Sequence, residues 1–452
     1  MREYKKLLSY LILFLTVILF IFQKPVLAES TRIQSGSNLQ EVIHKAQEGE
    51  SIFIEKGLYE GPITIDKSLT LVGEEGTLIT GNSEGNVVTI TADDVLISNL
   101  VIENSGESLE DSGVYLDKVE NVKVENSEIR KVQNGIYIKS GLNNEIIHNK
   151  ISSNEGHFSQ RGNGIHIFKG TGNTVKNNEI KYVQDGIYFD FAKNVKVIKN
   201  TIRDSRYGMH FMFSEDIDIV GNSTVENITG LMIMDSARLN FKENVIHHQF
   251  HFRGFGVLIY DSQEIVLSRN EITQNSVGIS FEKARGTEVI QNIIAANQVG
   301  LGFRTGNEKN TFFENNFIAN IVSSKIGKEK LNLDNGVKGN YWDDYGSYDI
   351  TGDGIGELPY KAGSLYDNLL KIQPLWQFYF ESPAIQTWSK AESMFPSLGT
   401  VKVYDYKPLV KPVNLTTTEV EMGNEQGVLP LLIAMLLIGI SVFIIVKGRS
   451  YI

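Results

Sequence analysis

A glycine followed by an apolar residue returns along this chain at Gly113, Gly135, Gly164, Gly186, Gly208, Gly230, Gly256, Gly278 and Gly300, at intervals of 22, 29, 22, 22, 22, 26, 22 and 22. A second mark, Asn-x-Ile or close to it, falls at Asn149, Asn178, Asn200, Asn244, Asn270, Asn292 and Asn316, with Asn222 in the same place. A fixed period in the low twenties signals stacked repeats, because one such unit is too narrow to bury its own inner face. Leucine-rich repeats share the period, but their L-x-x-L-x-L frame is missing. Each unit instead holds short alternating runs, as at 186–190 and 195–198, which is strand periodicity. Val, Ile and Phe fill these runs, and proline is absent between Pro62 and Pro359. The expected fold is all-β: a single-stranded parallel β-helix, wound right-handed as parallel crossovers are. Asparagine at the corners tolerates left-handed backbone and can build hydrogen-bonded ladders along the stack.

The open ends of such a stack need covers. Asn38 to Glu48 carries Leu39, Val42, Ile43 and Ala46 on a helical period with Asn38 as N-cap, so an N-terminal cap helix is expected, with strands from Ile52. After Asn340 the repeat gives way to aromatic-rich sequence that would close the other end. Outside these lie two apolar segments. Arg2, Lys5 and Lys6 precede an apolar run from Leu11 to Phe22 and a Val26-Leu27-Ala28 site, which reads as a signal peptide at 1–28 rather than an uncleaved anchor. Residues 428–446 carry no charge and are followed by Lys447 and Arg449, which reads as one C-terminal transmembrane helix with its end in the cytoplasm. A buried core helix is the alternative. The expected layout is therefore a signal at 1–28, a capped β-helix at 29–340, a C-terminal cap and docking region at 341–413, a linker at 414–427, the membrane span at 428–446 and a cytoplasmic tail at 447–452. The bulk of the chain would stand on the extracytoplasmic face of the cell membrane.

The chain has no cysteine, which excludes disulfides, thiolate metal sites and a lipid-modified N-terminal cysteine. Its 43 basic and 54 acidic side chains give a formal charge of −11 without a basic stripe, so nucleic acid is not an expected partner.

The repeat also assigns faces. The first and third positions after each glycine are apolar throughout and should point inward, which turns the second and fourth outward. The second positions run Tyr115, Tyr137, His166, Tyr188, His210, Met232, Leu258, Ser280 and Gly302. The fourth run Asp117, Lys139, Phe168, Asp190, Met212, Met234, Tyr260, Glu282 and Arg304. His210 should therefore lie over Met232, and Met212 over Met234. Adjacent strands are ~4.8 Å apart, about the span of two ligand atoms on opposite sides of one metal ion. Imidazole and thioether without thiolate or a carboxylate cluster select Cu(I). An apolar patch that docks a partner fits the same stripe, since methionine serves adaptable surfaces. Two coils are lengthened before this strand, one carrying His157 and the other His247, His248 and His251. These loops should border the stripe, as auxiliary ligands or as partner-binding loops. Asp349-Ile-Thr-Gly-Asp353-Gly is similar to the start of a calcium loop, but its twelfth position is Tyr360, so a tight turn is the better reading.

Four stretches then carry a resemblance: Gly208-Met-His-Phe-Met-Phe-Ser214; Leu231-Met-Ile-Met234; Gly339-Asn-Tyr-Trp-Asp-Asp-Tyr345 through Asp349–Gly356 to Leu358-Pro-Tyr360; and Ser382-Pro-Ala384 with Ala391-Glu392, Phe395-Pro396 and Pro408-Leu409. Over residues 33–413 the chain resembles the NosD family, exported β-helix proteins that mature the copper centres of nitrous oxide reductase. The resemblance implies work with the permease and ATPase subunits of an ABC transporter, a copper chaperone and the reductase, and transient binding of Cu(I) rather than catalysis. It places the family's His-x-Met on His210 and Met212 and its following Met on Met234. Met232 and Met209 depart from that pattern, as does the membrane span. Met232 is expected to assist and His166 is a further candidate ligand. The segment from Trp376 to Pro412, tethered by a short linker, is expected near the bilayer, where it would dock the permease. The rival is a carbohydrate-active β-helix enzyme, a lyase, hydrolase or epimerase, which needs convergent acid and base groups. The outward stripe offers only the scattered Asp117, Asp190 and Glu282. A purely structural or adhesive spike is the third reading.

Overall fold

Among the described residues, three parallel sheets of 13, 12 and 13 strands form the body of the molecule. The computed structural model describes residues 30–249, 251, 254–325, 331–362, 382–384, 387, 391 and 403–415. Each coil contributes one strand to sheet A, then sheet B, then sheet C, so strands three apart in sequence are neighbours in space. The result is the expected all-β, right-handed type of solenoid. The signal at 1–28, the linker from residue 416 on, the span at 428–446, the tail at 447–452 and most of the Trp376 to Pro412 segment lie outside the described residues. Among those described, no helix is long and apolar enough to cross a membrane.

The repeated glycine opens the sheet C strand, and its role is steric. None of the nine has positive φ. A Cβ on Gly208 would sit 2.6 Å from the carbonyl oxygen of Gly230, and one on Gly186 would sit 2.4 Å from that of Gly208. The coils stack at a distance that only hydrogen fits. The apolar positions that follow fill the interior: Ile187, Phe189, Met209, Phe211 and Ile233 are fully buried, and the Phe189 and Phe211 rings stack at 4.6 Å. Met209 is thus a core side chain and not a surface donor.

The corner between sheets A and B carries the asparagine ladder. Each Asn Nδ2 donates to the next Asn Oδ1, as in Asn178 to Asn200 at 2.9 Å and Asn200 to Asn222 at 2.9 Å. Two corrections to the sequence reading follow. The left-handed residue is the one before the ladder asparagine, such as Lys199, Glu243 or Gln291. The ladder also passes through Asn315, not Asn316: Asn292 donates to Asn315 and Asn315 to Asn340. Asn316 points outward and grips the backbone of Val413 with two 2.8 Å bonds.

At the N-terminal end, α1 (Leu39–Lys45) starts from Asn38, whose side chain accepts the Glu41 N–H at 3.0 Å, and it drops Leu39 and Ile43 onto the open core. The stack itself starts before this helix and not at Ile52: Ser30–Ile33 pairs in parallel with Glu50–Ile54. At the other end Tyr341–Trp342 adds a last strand to sheet B. Trp342 stacks between Phe317 at 4.1 Å and Tyr360 at 4.4 Å.

Candidate copper site on the outer face of sheet C

Backbone register brings the outward donors together. His210 pairs with Met232 and Met212 with Met234 on adjacent strands, Tyr207–Met212 and Thr229–Met234. Alternation along each strand turns all four side chains to the outer face, with Met209, Phe211, Leu231 and Ile233 turned in. The three methionines are half-buried, while His210 is only 8% exposed.

His210 is held by a partner that sequence reasoning missed. Its Nδ1 stands 2.9 Å from Oδ2 of Asp185, and Asp185 also receives Nε and Nη2 of Arg206, each at 2.8 Å. Burial alone would raise the Asp185 carboxyl, but the bonds from His210 and Arg206 hold it below its ordinary value. An ionised carboxylate can only accept, so His210 donates through Nδ1–H and the lone pair of the neutral ring lies on Nε2. That Nε2 is buried and has no hydrogen-bond partner among the described residues. A carboxylate behind one imidazole nitrogen, with the other left free, is the arrangement that orients a metal-binding histidine and raises its basicity. Arg206 lies 4.4 Å over the Tyr207 ring, and Tyr207 meets His210 edge-on at 5.2 Å.

Tyr188 packs face to face on His210 at 4.6 Å, and its hydroxyl donates to Sδ of Met212 at 3.3 Å. Burial, with nearby Asp190 adding to it, pushes the Tyr188 hydroxyl up to about 12, so it stays a donor at neutral pH. The column continues through His166 (4.6 Å from Tyr188), Tyr137 and Tyr115. His166 is therefore two coils from His210 with Tyr188 between them, and the structure does not bring it to the methionines. Burial pushes His166 down to about 4, and its Nε2 too is buried without a partner among the described residues. Glu110 leans over the far end of the column, accepting from Tyr115 at 3.2 Å and Lys139 at 3.0 Å.

Two of the other sequence candidates, His157 and Asp349, serve local structure. His157 caps the short turn Phe158–Gln160, and its ring lies tilted against Phe158 at 4.0 Å. Asp349 accepts N–H bonds from Gly352 (2.6 Å), Asp353 (3.2 Å) and Gly354 (2.9 Å), which makes the calcium-like segment a closed turn. Among the described residues no group of three or more His, Cys, Asp or Glu side chains is placed to hold a metal ion, so the stripe is a nitrogen and thioether set.

The family model described as "Periplasmic copper-binding protein (NosD)" matches residues 74–159 and 147–347. The chain belongs to the NosD family. A NosD relative from Stutzerimonas stutzeri, named a probable ABC transporter binding protein, is 29% identical over 384 residues, covering 80% of this chain and 87% of that one. Its counterpart from Pseudomonas aeruginosa is 27% identical over 374 residues, covering 78% and 87%. Solved structures share the fold alone. The A-module of the mannuronan C-5 epimerase AlgE6 of Azotobacter vinelandii superposes with a TM-score of 0.55 at 16% identity, over 64% of this chain and 90% of that one. The pneumococcal surface adhesin PfbA gives 0.53 at 12% identity, over 66% and 99%. An epimerase and an adhesin on one solenoid show that this fold does not select a function. The NosD relatives are named as binding proteins, not enzymes.

Proposed function

We propose that this chain takes up Cu(I) transiently on the outer face of sheet C, through His210, Met212 and Met234 with Met232 assisting. It passes the ion on during maturation of the copper centres of nitrous oxide reductase. In this reading a copper chaperone delivers the ion, and the permease and ATPase subunits of an ABC transporter work with the chain at the membrane. The segment at 428–446 anchors it there after removal of 1–28. The ion is cargo, and the site suits cargo: it lies on the outer face of a sheet, its donors are imidazole and thioether, and no thiolate holds the ion permanently.

The observation that carries the reading is the His210 imidazole, fixed by Asp185 through Nδ1 and left with a buried, unpartnered Nε2 beside two coils of thioethers. A mere apolar docking patch has no use for an oriented lone pair. The family's description and its relatives' names point the same way. The carbohydrate-enzyme alternative draws no support from this face, where Asp117, Asp190 and Glu282 stand on separate coils.

The test is anaerobic titration of the full-length protein with Cu(I) against a competing chelator. Met212→Ala with Met234→Ala should abolish high-affinity binding while circular dichroism and melting stay unchanged, since neither side chain is in the core. His210→Ala should weaken binding less. If the double variant keeps wild-type affinity and still supports reductase maturation, the stripe is a docking patch.

A further inference from the structure

The corner from sheet B to sheet C, one coil beyond the Met232 coil, carries two adjacent histidines. His247 ends the strand Val245–His247, in register with Val225 on one side and Thr273 on the other. His248 occupies the left-handed corner position, φ 60°, that Glu226 and Gln274 hold in the neighbouring coils. The backbone beneath them is pinned. The Gln249 side chain donates to the His247 carbonyl at 3.0 Å, its N–H enters an inward amide ladder at Asn275 Oδ1 at 3.1 Å, and His248 N–H reaches Thr273 O at 3.3 Å. On this frame the imidazoles converge through the same atom: Nδ1 to Nδ1 is 2.6 Å, with the rings edge to face at 71°. One ring donates its Nδ1–H to the lone pair of the other. His247 is half-buried, and burial followed by the neighbouring imidazole holds its pKa below the usual histidine value.

We propose that His247 and His248 form a second Cu(I) site, made of nitrogen alone, on the coil next to that of Met232 and Met234. The choice of ion rests on the copper reading above. Cu(I) accepts two donors in a line. With metal–nitrogen bonds of about 2.0 Å the two Nδ1 atoms need about 4 Å, so the rings must part by roughly 1.4 Å. The two rings part about their own side-chain bonds, while the backbone beneath them stays pinned by Gln249 and Thr273. When the ion enters, the ring that carried its proton on Nδ1 carries it on Nε2 instead, so both Nδ1 lone pairs face the metal and no proton is lost overall. Imidazole is a harder donor than thioether, and two donors hold an ion less firmly than three or four. The histidine site therefore fills second and gives its ion up first, which makes it a staging point for cargo bound for His210 and the methionines.

The test titrates the full-length protein anaerobically with Cu(I) against a chelator and follows copper X-ray absorption. Wild type should take up two equivalents, one with sulfur neighbours and a second, at least tenfold weaker, with nitrogen only. His247→Ala with His248→Ala should lose the nitrogen-only equivalent and keep the sulfur one. His248→Ala alone, at a corner that neighbouring coils fill with Glu226 and Gln274, should do the same with an unchanged melting profile. Met212→Ala with Met234→Ala should lose the sulfur equivalent and keep the nitrogen one. A single equivalent in wild type, or a nitrogen-only equivalent that survives both histidine substitutions, overturns the proposal. If the methionine variant keeps sulfur-ligated copper, it is the thioether assignment that fails, and the two failures are thereby told apart.

Discussion

Asp185 occupies the outward place just before Gly186, where the coil before carries Asn163 and the coil after carries Tyr207. Nothing in its own coil marks it, because its partners Arg206 and His210 come from the next one. The phase of the repeat made His210, Met212 and Met234 legible, since alternation from a glycine is a local pattern. A hydrogen bond between coils is not local, so Asp185 was invisible until the register was known. Its removal is the sharpest test at this scale. Asp185→Asn keeps the volume but loses the charge that fixes the tautomer, so Cu(I) affinity should fall about 10–100-fold with His210 and the methionines still present. An unchanged dissociation constant in a chelator competition would show that Asp185 only neutralises Arg206. His166 makes a second prediction. Its folded pKa is pushed down to about 4 by burial, below the unfolded value near 6.5. The unfolded chain therefore takes up the proton first, and the fold loses stability as pH drops from 6.5 towards 4, by about 3 kcal/mol in all. His166→Phe, which can still stack between Tyr137 and Tyr188, should flatten that part of the stability profile in denaturant titrations at pH 7 and pH 4.5.

At the scale of one coil, two devices hold the stack: the glycine that lets coils approach and the buried amide that ties each to the next. Asn222 shows the cost of breaking the second. Its Oδ1 accepts both N–H and Nδ2 of Asn200, and its own Nδ2 donates to Val197 O and to Asn244. Asn222→Ala leaves several buried polar groups without partners, each worth about 1–3 kcal/mol, so a loss of about 3–6 kcal/mol is expected in urea unfolding. A loss below about 1 kcal/mol would mean that water replaces the ladder bond. The ladder was legible from its period, but its exact seat was not. Asn315 and Asn316 stand side by side in a 23-residue coil, and spacing cannot tell which one turns inward. Apolar phase settles it in hindsight: Phe317 is core, so Asn316 one place before it must face out. The strand Ser30–Ile33 was missed for a related reason, because four residues before a helix carry too little alternation to stand apart from a loop.

Across the whole molecule, the stretch Gly339–Tyr345, one of the four that carry the family resemblance, builds the end seal rather than the donor stripe. The ladder runs from Asn315 to Asn340 and ends on Asp405, whose Oδ2 accepts from Asn340 N at 2.7 Å, Asn340 Nδ2 at 3.1 Å and Trp342 Nε1 at 3.0 Å. Gly339 lies against this carboxylate so closely that a Cβ would fall 1.8 Å from Oδ1. The Gly339-Asn-Tyr-Trp motif and Asp405 are thus one construction, joined across more than sixty residues of chain. A solenoid couples each coil mainly to its neighbours, so damage at an end should stay near that end. Asp405→Ala strands the Trp342 and Asn340 donors and should unseal the last coils. Hydrogen exchange followed by mass spectrometry should show lost protection over Thr311–Trp342, while the strands Tyr207–Met212 and Thr229–Met234, several coils away, keep theirs. Cu(I) affinity should then be unchanged in the same preparation. Loss of protection at both places would mean that the stack melts as one unit and that the seal holds the donor stripe in register from a distance. Retention at both would mean that Trp342, stacked between Phe317 and Tyr360, closes the core without its carboxylate.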